Sequence, residues 1–146
     1  MKSQPGTYVL VLKNNSRNSV QVGKWGRLDF EPGYYLYVGS AFGPGGVLSR
    51  VSRHCREDKS KRWHIDYLRK FTSLNVVWYA HGSERLEHKW AKALEGLAET
   101  VSIKGFGCSD CQCLSHLFFV AQESDLETCA NALRGKVQRW TCESVV

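Results

Sequence analysis

The chain has 146 residues, enough to bury one core without a second domain, and no apolar run in it approaches the ~20 residues of a membrane span. Residues 1–6 lack the basic and apolar regions of a secretory signal, so the expectation is a cytoplasmic protein with no membrane partner, whose six cysteines serve as thiols or metal ligands. A formal charge of +6, concentrated around residues 50–62 and in the Lys136/Arg139 tail, favours polyanionic partners through counterion release.

In chain order, residues 6–13 read as a buried strand, with Tyr8, Leu10 and Leu12 on one face and Val9 and Val11 on the other. Residues 19–30 read as a strand broken by Gly-Lys-Trp-Gly, and residues 34–40 as a further strand after Glu-Pro-Gly. A glycine loop then leads into a helix over residues 47–56, where Leu48, Val51 and Cys55 form an inward stripe. A short helix over residues 64–71 and a strand over 75–82 follow. The clearest amphipathic helix starts at Ser83 and Glu84 and runs to about Ala98, with Leu86, Trp90, Ala93, Leu94 and Leu97 inward. Beyond a cysteine-rich loop come a strand over residues 116–121, a helix capped by Ser124 and ending near Gly135, and a loosely held tail. The sum is a single domain over residues 1–146, with its core at about 6–121 and a C-terminal helix and tail over 122–146. Its class is α/β in the broad sense (α+β): a small, mainly antiparallel sheet flanked by helices.

Phosphodiester hydrolysis needs a deprotonated water, a counter-charge for an anionic transition state and help for the leaving oxygen. Arg50 and His54, four residues apart on one flank of their helix, can converge on a single phosphate, whereas Arg53 points more nearly to solvent. The plain alternative is a solvated basic helix face. Glu87 lies at the edge of the inward stripe of its helix, and a single carboxylate with waters can hold Mg²⁺. Tyr8 and Tyr37 sit in buried strands, where tyrosines ordinarily pack, and a phenol of pKa ~10 needs a nearby cation to ionise at neutral pH. The segment from Gly39 to Gly46 lets backbone approach a phosphate at a helix N-terminus, or simply makes a tight connection.

Two clusters stay open. Trp-His-Ile-Asp-Tyr-Leu from residue 63 offers His64 and Asp66 either to a nucleic-acid rim or to a packed amphipathic helix. Cys108, Cys111, Cys113 and His116 form a C-x2-C-x-C-x2-H group suited to Zn²⁺, yet four ligands within nine residues strain a tetrahedron. A thiol-rich structural loop, or a cleft lined by Asp110, Ser115 or His116, fits the same residues.

Gly-Thr-Tyr at residues 6–8, Tyr-Val-Gly at 37–39, Leu-Ser-Arg-Val-Ser-Arg-His at 48–54 and Glu87 resemble the GIY-YIG nuclease superfamily. The phrases GYYLYVGSAFG, WHIDYL and GFGCSDCQCLSHLF narrow that resemblance to its small stand-alone branch, labelled Uri-type or DUF123, over about residues 6–119. The resemblance implies an endonuclease dependent on Mg²⁺ or Mn²⁺, acting on DNA, with RNA not excluded and a DNA-repair protein as a partner. It implies catalytic roles for Tyr8 (base), Tyr37 (positioning of water or phosphate), Arg50 (scissile phosphate) and His54. Glu87 would be the metal ligand, and Gly39, Ser40, Arg53 and His64 would meet the nucleic acid. Two other functions compete: a nucleic-acid-binding protein of the same fold that cuts nothing, and a zinc-dependent interaction module built on the cysteine loop.

Overall fold

The structure, a computed structural model, describes residues 1–22, 26–56, 64–103 and 115–141. Strand β1 (Gly6–Asn14) carries an unbroken apolar run from Tyr8 to Leu12 and is buried on both faces, as such a run requires. It therefore lies in the middle of the sheet. On one side it pairs antiparallel with β4 (Gly33–Ala41), setting Tyr8 opposite Gly39, and on the other with β5 (Ser73–His81), setting Tyr8 opposite Tyr79. Between β1 and β4, β2 (Asn18–Val22) and β3 (Gly26–Phe30) form a separate antiparallel hairpin.

The remaining strands extend the sheet at both edges. β7 (Leu117–Val120) pairs with β4, β6 (Val101–Ser102) with β7, and β8 (Gln138–Trp140) with β5. The six strands run in the order β6-β7-β4-β1-β5-β8, and each neighbouring pair is antiparallel.

Because side chains alternate along a strand, the central strands feed two cores. Tyr8, Leu10, Leu12, Tyr35 and Val77 face α1 (Gly46–Cys55) and α2 (His64–Leu68), with Val20 and Leu28 of the hairpin closing that layer. Val9, Val11, Leu36, Val38 and Trp78 pack with Trp90 and Leu94 of α3 (Glu87–Glu95) and with Leu126, Cys129 and Ala130 of α4 (Leu126–Ala132). The architecture is an α+β fold in which a mainly antiparallel sheet lies between helical layers, as expected. Among the described residues no helix is long and apolar enough to cross a membrane.

Four local expectations change. α3 starts at Glu87 rather than Ser83, and Ala91, not Ala93, joins Trp90 and Leu94 inside. Ser124 does not cap a helix: it lies in a 3-10 turn over Glu123–Asp125, and α4 begins after it without a side-chain cap. The chain after Gly135 is not loose throughout. β8 pairs with β5, Gln138 accepts a hydrogen bond from the Tyr79 hydroxyl at 2.9 Å, and Arg139 reaches Glu127 at 2.6 Å. On α1 the buried side chains are Val47, Val51 and His54, so the inward stripe is rotated from the one that Leu48 and Cys55 suggested.

Candidate functional site

The rotation of α1 follows from one polar contact. His54 is fully buried, and its Nε2 lies 3.0 Å from the Tyr8 hydroxyl, so a residue that hydropathy places on the flank is held inside. The two rings are tilted by 53° with centroids 5.6 Å apart, and the Tyr37 ring meets His54 edge-on at 6.3 Å. The Tyr8 phenol in turn lies over Gly39 on the neighbouring strand. A Cβ at Gly39 would come within 2.5 Å of both Cζ and the hydroxyl, which explains the glycine that ends Tyr-Val-Gly: the ring occupies the place of a side chain.

Burial raises the pKa of Tyr8 far above the ordinary phenol value, and the Tyr37 phenol and Glu87 carboxylate push in the same direction. Arg50 opposes them both through its charge and by hydrogen-bonding the phenol. Tyr8 is thus a protonated phenol at neutral pH, the Arg50 field being weaker than desolvation. The same interactions place Tyr37, Arg50 and Glu87 all within electrostatic reach of one oxygen atom, although they come from β4, α1 and α3.

Glu87 reaches this neighbourhood because the start of α3 is fastened to β1. The Leu86 N–H donates to Thr7 Oγ1 at 3.3 Å, one residue before Tyr8. Here the first rungs of β1 meet the last of β4, with Thr7 opposite Ser40. A cleft of about 150 Å³ opens at this end, lined by Ser40, Arg85, Glu87 and His88. The Arg85 guanidinium is drawn aside over the Phe42 ring, 4.2 Å from its centroid.

His116 completes the group from the far side of β4. Its carbonyl accepts the Val38 N–H at 2.9 Å, and its ring Nδ1 lies 3.5 Å from Glu87 Oε2. Exposed His88 approaches the same oxygen, with Nε2 at 3.9 Å. Glu87, His88 and His116 each present one donor atom, and all three atoms lie within 4.8 Å of one another. Burial lowers the pKa of His116 from its ordinary value, Glu87 opposes that change and His88 adds to it. Sequence reasoning singled out Glu87 and His116 separately and missed His88; the adjacent Glu-His pair at the start of a helix was the available signal.

Other expected site residues are placed differently. Arg53 does not point to solvent: its guanidinium grips Asp66 with two hydrogen bonds of 3.0 and 2.9 Å, joining α1 to α2. The α1 N-terminus is not an open anion cradle either. The N–H groups of Val47 and Leu48 donate to the carbonyls of Gln4 and Lys2, and that of Gly46 to Gly43. Gly46 has φ 59°, and a Cβ there would collide with the Gln4 backbone, so this glycine serves the approach of the chain's own N-terminal segment. His64 opens α2, but its side chain, like Cys108, Cys111, Cys113 and Asp110, lies outside the described residues. Cys55 is disulfide-bonded, contrary to the expectation of a thiol, while Cys129 is a free buried thiol.

Neither among curated proteins nor among solved structures does the chain find a match. Residues 7–139 match a family described as a domain of unknown function, DUF123, and the chain belongs to that family.

Proposed function

We propose that the protein is a divalent-metal-dependent endonuclease of the GIY-YIG type that hydrolyses phosphodiester bonds in DNA, and that the group around Tyr8 is its active site. The observation that carries this reading is the convergence on the Tyr8 oxygen: His54 Nε2 at 3.0 Å, with Arg50, Tyr37 and Glu87 within electrostatic reach. A net charge of +6 suits a polyanionic substrate, and the ordered set Gly-Thr-Tyr, Tyr-Val-Gly, Arg50, His54 and Glu87 resembles that superfamily.

The elevated pKa of Tyr8 argues against a free phenolate and for a relay. The attacking water gives its proton to the Tyr8 oxygen as the phenol passes its own to His54 Nε2, so the proton ends on an imidazole whose ordinary pKa is near neutrality. The water oxygen forms the new P–O bond. The leaving oxygen departs with the bonding pair and is protonated from solvent. Arg50 turns from the phenol towards the scissile phosphate, where its fixed donors match the charge that grows on the equatorial oxygens. Tyr37 orients the water from β4. Mg²⁺ or Mn²⁺ held by Glu87 would supply further positive charge for the anionic transition state.

Incubation with nicked, flapped and plain duplexes in Mg²⁺ or Mn²⁺ tests the proposal. Cleavage that falls ~10²–10³-fold in Arg50→Ala and is lost in Glu87→Gln supports it. Binding without cleavage on every substrate identifies a non-catalytic nucleic-acid-binding protein instead. The proposed setting is the cytoplasm, with a DNA-repair protein as partner. The disulfide at Cys55 makes that compartment testable by itself, because cytosolic thiol systems keep such pairs reduced. Thiol trapping in intact cells that finds Cys55 fully oxidised would contradict a cytoplasmic setting.

A further inference from the structure

We infer that Glu87, His88 and His116 form a binding site for a first-row transition-metal dication, with Zn²⁺ as its natural probe, in preference to Mg²⁺. The inference rests on the reading of Glu87 as a metal ligand and adds to it two imidazoles from separate parts of the fold. Those imidazoles change the class of ion. Mg²⁺ takes oxygen donors and keeps its waters, whereas imidazole nitrogen suits Fe²⁺, Ni²⁺, Cu²⁺ and Zn²⁺, all bound by such donors more tightly than Mn²⁺. Two histidines and one carboxylate are also a known donor composition for a catalytic zinc ion, leaving further positions for water or a phosphate oxygen.

The geometry is near what such an ion needs. With metal–ligand bonds of about 2.0–2.1 Å, tetrahedral donors stand about 3.4 Å apart. Glu87 Oε2 lies 3.5 Å from His116 Nδ1 and 3.9 Å from His88 Nε2. The widest separation in the trio does not exceed 4.8 Å, and closing it requires only a turn of His88, whose side chain is 57 % exposed. His116 is the fixed member: it is 3 % exposed, and its backbone is tied to Val38. Glu87 has intermediate exposure at the cleft wall, so an ion held there is reachable from solvent and from Ser40. Arg85, the cation nearest in the cleft lining, is directed at Phe42 rather than at the trio.

The test uses the full chain without nucleic acid. Co²⁺, a spectroscopic stand-in for Zn²⁺, is titrated in and its visible bands recorded, and Zn²⁺ affinity is then obtained by competition and by calorimetry. The expected result is one ion with visible bands of nitrogen and oxygen ligation, displaced by Zn²⁺ and unaffected by millimolar Mg²⁺. His88→Ala, an exposed change that leaves folding intact, should weaken Zn²⁺ binding at least tenfold, and Glu87→Gln at least as much. Overturning results are binding no tighter than millimolar, an affinity indifferent to His88→Ala, or a spectrum showing thiolate charge transfer alone, which would assign His116 to the cysteine group. Tight Zn²⁺ binding by a protein that cuts no nucleic acid would refute the nuclease reading alone. Cleavage in Mg²⁺ by a protein whose Zn²⁺ affinity ignores His88 would refute only this site.

Discussion

The Tyr8 hydroxyl and His54 Nε2, 3.0 Å apart, join the central strand to the first helix in a place where neither residue is more than 2 % exposed. A buried hydroxyl and a buried imidazole satisfy each other there, and the loss of one leaves the other short of a bond. Tyr8→Phe should therefore lower stability by about 1–3 kcal/mol in urea denaturation. Under the relay it should also slow single-turnover cleavage by about 10²-fold or more. A folded Tyr8→Phe protein that cuts at the wild-type rate would remove Tyr8 from the reaction.

Gly39→Ala probes the same ring from the opposite strand. The new methyl would stand 2.5 Å from the phenol carbon and hydroxyl, so the ring must shift. Overpacking of this kind costs about 1–3 kcal/mol. In a Tyr8→Ala background the methyl finds room, and the double variant should be more stable than the sum of the two single losses predicts. Strict additivity in the cycle would show that Gly39 is required for some other reason.

The sequence made the frame legible wherever local pattern and tertiary packing agree. The apolar runs of β1, β4 and β5 mark the central strands, and Trp90 with Leu94 marks the buried side of α3. Local pattern misleads where a distant partner decides the outcome. Two residues of β6 carry too little pattern to register, and β8 becomes a strand only because β5 offers it an unpaired edge. His54 looks like a flank residue until Tyr8 holds its Nε2 inside, and Arg53 looks solvated until Asp66 comes to meet it. Of the candidate site, Tyr8, Tyr37, Arg50, His54 and Glu87 were each nameable. That His116 stands beside Glu87 and His88 depends on how α3 and β7 dock around β4, which no local period encodes.

The Arg53–Asp66 pair yields a prediction that separates support from nucleic-acid contact. The Asp66 side chain is 1 % exposed and that of Arg53 13 %, so Arg53→Ala leaves a carboxylate buried without its paired cation. The expected loss is about 3 kcal/mol, recovered in part by adding Asp66→Asn, which removes the buried charge. An arginine that contacts a backbone phosphate would, when removed, reduce the salt dependence of DNA binding by about one counterion. With Arg53 engaged by Asp66, the salt slope of the folded variant should match that of the parent. A slope lower by about one, with stability unchanged, would make Arg53 a phosphate contact instead.

Cys129 gives a prediction about alkaline pH. Burial pushes its thiol up to about 11 from an ordinary 9.0, and the carboxylates of Glu99 and Asp125 add to the shift. Below pH 9 the thiol is neutral in folded and unfolded chains alike, and its contribution to stability is fully present. Between pH 9 and 11 the unfolded chain releases this proton while the folded one retains it, so stability falls as pH rises, by on the order of 2 kcal/mol across the window. Cys129→Ala leaves a small cavity but abolishes the linkage; its urea stability should start lower at pH 8 and decline less steeply towards pH 11. Site-resolved alkylation at pH 8 should likewise find Cys129 unreactive until the chain unfolds. Parallel pH slopes in the two proteins, together with rapid alkylation of the native thiol, would mean that Cys129 is open to water.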